Sequence, residues 1–270
     1  MITYQELLKS GENELVSSNI SDAELDAWYL LEYITGMSRA KFFIDRDMEV
    51  SDEIKDRYLS LIHMRKEHIP LQHITGTQEF MGFDFFVNEN VLVPRQDTEC
   101  LVENVLPFAL DMCTGSGCII ISLKKLEETA ECTGADISKK ALEVAQKNAA
   151  SNEAEVYFKE SDMFEKINGK YDIIVSNPPY IRPDVIKTLE PEVREHDPML
   201  ALDGGEDGLM FYRILAKEGK KHLAGPGMMF MEIGHDQGRA VKEIFENEGF
   251  KEVVVKKDLC ENDRVVMAVK

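Results

Sequence analysis

The chain has 270 residues, 44% of them hydrophobic, and a formal net charge of −19. That is apolar material for one α/β domain of usual size plus a smaller companion, and it excludes disordered and fibrous classes. No run approaches the roughly 18 apolar residues of a membrane-spanning helix, and the acidic balance disfavours a phosphate backbone as partner, favours basic protein surfaces, and also serves plain solubility.

The first seventy or so residues read as a compact helical bundle. Ser21-Asp22-Ala23-Glu24 has the form of a capping box behind the apolar Ile20. It opens a helix in which Leu25, Trp28 and Tyr29, then Glu32 and Tyr33, set an amphipathic period that Gly36 ends. A shorter piece carries Phe42 and Phe43. Ser51 is placed to cap a further helix through Ile54, Tyr58, Leu61 and Ile62, which Pro70 stops. The aromatic residues of this bundle are expected in its core rather than in a binding stripe.

From Gln78 to Val93 the period changes. Phe80, Phe83, Phe85, Val87, Val91 and Val93 predict two short strands around Asn88-Glu89-Asn90, a hairpin-like linker. Thr98 then starts a helix through Leu101, Val102, Val105 and Leu106. That helix, a turn and a full strand do not fit comfortably before Asp111. A loop missing near Pro107 is expected, with a real deletion as the alternative.

Beyond this point strands and helices alternate: helix at Cys118 to Leu126, strand at Glu131 to Ala135, helix at Ser138 to Asn148, strands at Ala154 to Phe158 and Tyr171 to Val175. A helix around Leu209 to Lys217, a strand from Gly227 to Ile233 and a helix from Gly238 to Glu248, closed by Gly249, follow. Glu252 to Lys256 and Arg264 to Val269 read as an antiparallel hairpin. The pattern implies a mostly parallel sheet covered on both faces, with a mixed edge.

The five cysteines, Cys100, Cys113, Cys118, Cys132 and Cys260, are odd in number and sit in mostly apolar contexts, as reduced core residues do. They have no zinc-like spacing, and His63, His68 and His73 do not share a helix face, so no metal is expected. The N-terminus lacks the basic and apolar segments of a secretion signal, so a cytoplasmic location and no membrane are expected.

In such a sheet, ligands bind beyond the carboxyl ends of the strands, where strand order reverses. Asp111-Met112-Cys113-Thr114-Gly115-Ser116-Gly117 is strand, tight loop and helix start, and Gly115 and Gly117 let the backbone approach a ligand. The loop alone could serve a dinucleotide, a nucleoside or simply a turn; it lacks the third glycine of the dinucleotide fingerprint and the Gly-Lys-Ser/Thr of a triphosphate loop. Asp136, closing the next strand, can accept both hydroxyl protons of a ribose. Asp162, in Ser161-Asp162-Met163-Phe164, can accept from an adenine amino group, with Met163 or Phe164 near the ring. Together these residues point to S-adenosylmethionine.

The acceptor is read from Asn177-Pro178-Pro179-Tyr180, which follows the strand Tyr171 to Val175. The two prolines fix the backbone and need no amide partner. The Asn177 side-chain oxygen and the Pro178 carbonyl are then two acceptors for the hydrogens of a planar NH2 group, and Tyr180 can pack on its plane. Orientation and electrostatics would carry the catalysis. This element does not choose between an amide and a nucleobase amine.

The chain resembles the protein-(glutamine-N5) methyltransferases that modify the glutamine of the Gly-Gly-Gln loop in peptide chain release factors. The resemblance covers nearly the whole chain. It rests on Gly76-Thr77-Gln78-Glu79-Phe80, Val93-Pro94-Arg95-Gln96-Asp97-Thr98-Glu99, the glycine loop, Asn177-Pro178-Pro179-Tyr180-Ile181, Ala201-Leu202-Asp203-Gly204-Gly205-Glu206-Asp207-Gly208-Leu209 and Glu232-Ile233-Gly234-His235-Asp236-Gln237-Gly238. Asn-Pro-Pro-Tyr is shared with methyltransferases of nucleobase amines, whereas Arg95 with Asp97-Thr98-Glu99 is more specific to the release-factor enzymes. Gln96 departs from the proline that the family often has.

The resemblance implies a seven-stranded mixed sheet of the Rossmann-like class I methyltransferase type, with a small N-terminal helical bundle and a linking β-hairpin. Residues 1–77 would recognise the substrate protein, 78–93 form the hairpin linker, and 94–270 form the S-adenosylmethionine-dependent methyltransferase domain. It implies Asn177, Pro178 and Tyr180 as catalytic residues; Asp111, Thr114, Gly115, Gly117, Asp136, Asp162, Phe164 and Asn177 at the cofactor; and Arg95, Thr98, Asn177, Pro178, Pro179 and Tyr180 at the substrate. Glu232 is either a helix-cap partner or a pocket wall. The expected partner is a release factor, the expected state a monomer, with no direct nucleic acid required. The competing functions are a nucleic-acid amine methyltransferase using the same pocket and a non-catalytic protein that retains it.

Overall fold

The computed structural model describes residues 2–103 and 109–270. They divide into two compact units, Met1–Gly76 and Thr77–Lys270. The connection at Pro107, with Val105 and Leu106 of the predicted helix, lies outside the described residues.

The first unit is helical: α1 (Tyr4–Ser17), α2 (Ala23–Thr35), α3 (Arg39–Asp45), α4 (Asp52–Lys66) and α5 (Leu71–Thr75). The capping box is at Thr3 and Glu6, not at Ser21. Asp22 is the cap of α2, but its backbone is not extended (φ −103°, ψ 34°), and its side chain makes no cap bond. Ser51 caps α4 through the Ile54 amide as expected, and Gly36 closes α2 with a left-handed φ of 63°.

The buried face of α2 is Ala23, Ala27, Trp28, Leu30 and Leu31, with Asp26 paired to Arg65 of α4 at 2.7 Å. Of the predicted stripe Trp28 is buried, whereas Leu25, Tyr29 and Tyr33 are exposed, so the predicted helix is right and most of its predicted face is not. Both stripes are apolar enough to read as core, and only packing chose between them. Trp28, Phe42 and Tyr58 fill the bundle; Tyr29, Tyr33 and Phe43 do not.

The second unit opens on an antiparallel hairpin, β1 (Thr77–Phe80) and β2 (Phe83–Phe86). Its turn is Met81-Gly82, with φ of 53° and 78°, rather than Asn88-Glu89-Asn90. Two positive φ values suit the twist of a two-residue hairpin. Asn88 instead accepts the Asn90 amide at 3.0 Å, and Val91 to Val93 is not a strand. Phe80 and Phe85 are buried with Leu101 of α6 (Gln96–Val102) and Ile120 of α7 (Cys118–Leu126). The hairpin is therefore part of this unit's core.

The sheet contains β3 (Ala109–Met112), β4 (Cys132–Asp136), β5 (Val156–Glu160), β6 (Tyr171–Ser176), β7 (Leu223–Glu232), β8 (Lys251–Lys257) and β9 (Asp263–Val269), in spatial order β5-β4-β3-β6-β7-β9-β8. Strands β3 to β7 pair in parallel, and β9 is antiparallel to both neighbours. On β6, Ile173 and Val175 join one hydrophobic cluster and Ile174 joins the other. Both faces of this strand are covered, as the apolar run predicts.

After α8 (Lys139–Ser151), β6 leads into three short helices, α9 (Pro183–Ile186), α10 (Pro191–His196) and α11 (Met199–Leu202). The helix predicted at Leu209 to Lys217 is α12 (Met210–Ile214) continued by a π turn, Leu215–Gly219, and α13 (Lys220–His222). The last helix is α14 (Gly238–Asn247), followed by Gly249 at φ 76°. The chain runs outward from β3 through β4 to β5, then returns to the other side of β3 with β6 and β7. Strand order reverses between β3 and β6, where a crevice forms beyond the carboxyl ends.

Candidate functional site

Register puts the predicted residues at this crevice. Met112 is level with Ala135 on one side and Ser176 on the other, so Cys113, Asp136 and Asn177 leave the sheet side by side. The Ser176 hydroxyl donates to the Met112 carbonyl at 2.6 Å and ties the two strand ends together. A cavity of about 440 Å³ opens here, of the size and mostly apolar character of small-molecule sites.

The glycine loop turns by positive φ at Cys113 (63°), Gly115 (55°) and Gly117 (80°). The Thr114 hydroxyl donates to Asp111 Oδ2 at 2.6 Å, and the Gly115 amide donates to Asp136 Oδ2 at 2.9 Å. Asp136 Oδ1 accepts the Ser138 amide at 2.8 Å. Burial raises the Asp136 pKa, against the amides that favour its charge. Burial pushes Asp111 up to about 7, and its Oδ1 has no hydrogen-bond partner.

Of the predicted cofactor residues, Thr114, Gly115, Asp136, Asp162 and Asn177 line the cavity, with Met163 beside them. Asp111, Gly117 and Phe164 do not. Asp111 alternates onto the face covered by α7 and is fully buried, so it anchors the loop through Thr114 and cannot meet a ligand directly. Gly117 is needed for packing: a Cβ there would lie 2.9 Å from Ile121 Cδ1 and 3.1 Å from the Ala145 Cβ. Phe164 turns into the core and stacks on His222 at 5.1 Å.

Of the predicted substrate residues, Arg95, Thr98, Asn177 and Pro179 line the same cavity. Pro178 is buried behind them, and Tyr180 turns away, its hydroxyl donating to Glu232 Oε1 at 3.3 Å. Burial, next to the Glu232 charge, holds the Tyr180 phenol well above its ordinary pKa, so it remains protonated. Asn177 Nδ2 donates to the Thr98 hydroxyl at 3.3 Å. Arg95 reaches Asp197 at 3.4 Å, and burial pushes that carboxyl up to about 6 against the attraction of the guanidinium.

Several wall residues have no signature in the sequence. Ile137, Leu200, Met210 and Phe211 line the cavity from three separate segments. Only Ile137 has a readable signal, as an apolar residue directly after the predicted strand-end carboxylate.

The residues present fit S-adenosylmethionine. Gly115 faces open space where a side chain would stand, and Asp136 and Asp162 place carboxylates on the wall for the hydroxyl and amino hydrogens of an adenosyl group. A methyl donor of this kind needs no metal and no strong base before transfer; it needs an oriented acceptor.

Comparison with known proteins agrees with this geometry. Residues 6–76 match the family model described as PrmC N-terminal domain, and residues 96–192 match the Methyltransferase small domain. The release factor glutamine methyltransferase of Agrobacterium fabrum is 41% identical over 96% of this chain and 94% of its own length. That of Clostridium acetobutylicum is 41% identical over 91% and 90%. A solved methyltransferase from Pyrococcus furiosus shares the fold at a TM-score of 0.55 and 18% identity, covering 70% of this chain and 89% of that one. The enzyme class is therefore that of S-adenosylmethionine-dependent methyltransferases. Since the likeness at 41% identity runs through both the helical unit and the sheet rather than through the fold of the sheet alone, the chain belongs to the release factor glutamine methyltransferase family.

Proposed function

We propose that this chain transfers a methyl group from S-adenosylmethionine to N5, the side-chain amide nitrogen, of the glutamine in the Gly-Gly-Gln motif of peptide chain release factors. The observation that carries the reading is Asn177: it stands on the cavity wall beside the loop and Asp136, with its Nδ2 held by Thr98. Its Oδ1 is left as an acceptor for a hydrogen of the incoming NH2 group.

S-adenosylmethionine supplies an electrophilic methyl on a sulfonium. The amide nitrogen forms the new C–N bond, the C–S bond breaks, the sulfonium becomes a neutral thioether, and one proton leaves the nitrogen. An amide lone pair is delocalised and weakly nucleophilic. Holding an N–H against Asn177 Oδ1 fixes the attack direction and favours charge that builds on nitrogen, the kind of orientation and preorganisation that enzymes use in place of base strength. We further infer that the helical unit, which matches the PrmC N-terminal domain model, recognises the protein substrate. A nucleic-acid substrate is disfavoured by the −19 charge, because backbone contacts call for clustered Lys and Arg.

The test is mass spectrometry of a release factor carrying Gly-Gly-Gln, a Gly-Gly-Ala control and an RNA and DNA panel, each with enzyme and labelled cofactor. One methyl on the glutamine, absent from the control and from nucleic acid, is the expected result. Replacing Asn177 with Ala is expected to cut turnover by at least about 100-fold while cofactor affinity is retained, in the range of a lost transition-state donor or acceptor. Methylation of nucleic acid alone would overturn the reading.

A further inference from the structure

The two prolines make Asn177-Pro178-Pro179-Tyr180 stiff. Each ring fixes its own φ, and each proline confines the residue before it, here Asn177 and Pro178, to extended backbone. A stiff segment cannot adjust internally, so the place of the Asn177 side chain depends on where the two ends are held. The upstream end is fixed by β6, which pairs with β3 and β7 as far as Ser176. Neither proline has an N–H with which to hold the rest.

The downstream end meets Gln237, which immediately precedes α14. Gln237 Nε2 donates to the Tyr180 carbonyl at 3.0 Å and to the Gly208 carbonyl at 3.2 Å, and Gln237 Oε1 accepts the Gly234 amide at 2.9 Å. The Gly234 N–H only donates and the two carbonyls only accept, so one orientation of the side-chain amide satisfies all three. Glycines make the approach possible. A Cβ on Gly208 would stand 2.5 Å from the Tyr180 carbonyl oxygen and 2.8 Å from Gln237 Nε2, and one on Gly204 would stand 2.6 Å from Tyr180 Cα. The next residue is tied to the same loop: the Ile181 amide donates to the Leu202 carbonyl and the Gly204 amide to the Ile181 carbonyl, both at 2.9 Å. Beyond Gln237, α14 buries Val241 and Phe245 in the core. The motifs around Gly204 to Gly208 and Gly234 to Gly238 thus converge on the Tyr180 carbonyl.

Resting on the acceptor role of Asn177 given above, we propose that Gln237 is a positioning residue for methyl transfer, pinning the downstream end of Asn-Pro-Pro-Tyr to α14 and so holding Asn177 at its place on the cavity wall. Gln237 does not itself line the cavity, so it acts through the backbone of this segment. The Tyr180 hydroxyl on Glu232 anchors the ring of that residue, whereas the bond from Gln237 fixes its peptide plane. A small displacement of an orienting group costs a large factor in rate. The rival reading is that Gln237 only closes the turn at Gly234, for which its Oε1 suffices.

The substitution Gln237→Glu in the full chain separates the two. A carboxylate keeps an oxygen for the Gly234 amide and loses both donors. Gln237→Met adds no charge, removes all three bonds and carries the same readouts if the charged variant does not fold. Each is expected to lower kcat on the Gly-Gly-Gln release factor by about 10-fold or more per folded molecule, with cofactor Kd within about 2-fold. Activity within about 2-fold of wild type, or a kcat loss matched by loss of cofactor affinity, would overturn the proposal.

A second readout does not depend on turnover. Exchange of the Ile181 and Gly204 amide protons, followed by 15N NMR, is expected to be about 10-fold faster in the variants than in the wild type, with the Ile174 amide of β6 unchanged. If the wild type fails to methylate a release factor while that contrast is present, the substrate reading falls and the pinning stands. Equal exchange in wild type and variants sinks the pinning whatever the activity.

Discussion

Asp111 is a carboxyl group out of reach of water, with one oxygen on Thr114 and the other without a partner. Its residue type suggests a ligand group and its position makes it an anchor. Its pKa of about 7, against an ordinary value of 3.8, has a consequence for stability. Below 3.8 the group is protonated in both states. Between 3.8 and about 7 it ionises on unfolding and stays neutral when folded, so stability is lost as pH rises through that window and no further above it. The substitution Asp111→Asn removes this dependence. The wild type is expected to weaken relative to the Asp111→Asn variant between pH 5 and 8, at a ceiling of about 1.4 kcal/mol per pH unit. Urea melts of both proteins at the two pH values check it; a constant difference would show that Asp111 is charged in the folded protein.

At the scale of the element, the loop from Cys113 to Gly117 shows how one motif holds two different glycines. Gly115 faces open space on the cavity wall, whereas Gly117 is wedged against Ile121 and Ala145. Gly115→Ala is expected to weaken cofactor binding with a stability cost of about 1 kcal/mol, from the left-handed φ alone. Gly117→Ala adds overpacking and is expected to cost about 2–4 kcal/mol. Thermal melts with and without cofactor separate the two, and the same profile for both variants would count against the distinction. The loop and its helix were legible as elements because Cys118 to Leu126 is largely apolar and Gly115 and Gly117 punctuate what precedes it. The hairpin turn was not, because Met81 occupies a left-handed position with no local signal, while Asn88 to Asn90 offers turn residues to a segment that makes no hairpin.

At the scale of the molecule, every residue that lines the cavity comes from the second unit. Cofactor at about 100 times its Kd should add about 2.7 kcal/mol to the stability of what it binds. Hydrogen exchange is therefore expected to slow in β3, β4 and the loop between β3 and α7, with no comparable change in local openings of α1 to α4. Equal slowing in the helical unit would show that the two units respond as one.

The sequence by itself determined the alternation of strands and helices, the covered sheet, and the glycine loop with Asp136, Asp162 and Asn177 at strand ends. These are properties of period, apolar runs and spacing along the chain, which need no knowledge of neighbours. Only the tertiary structure decided which face of α2 is buried, that Phe164 and Tyr180 turn away from the cavity, and that Asp111 supports the loop from beneath. It also brought Thr98 and Asn177 together from two distant segments. Side-chain direction at a strand end depends on what packs against it, and that information is spread over residues far apart in the chain.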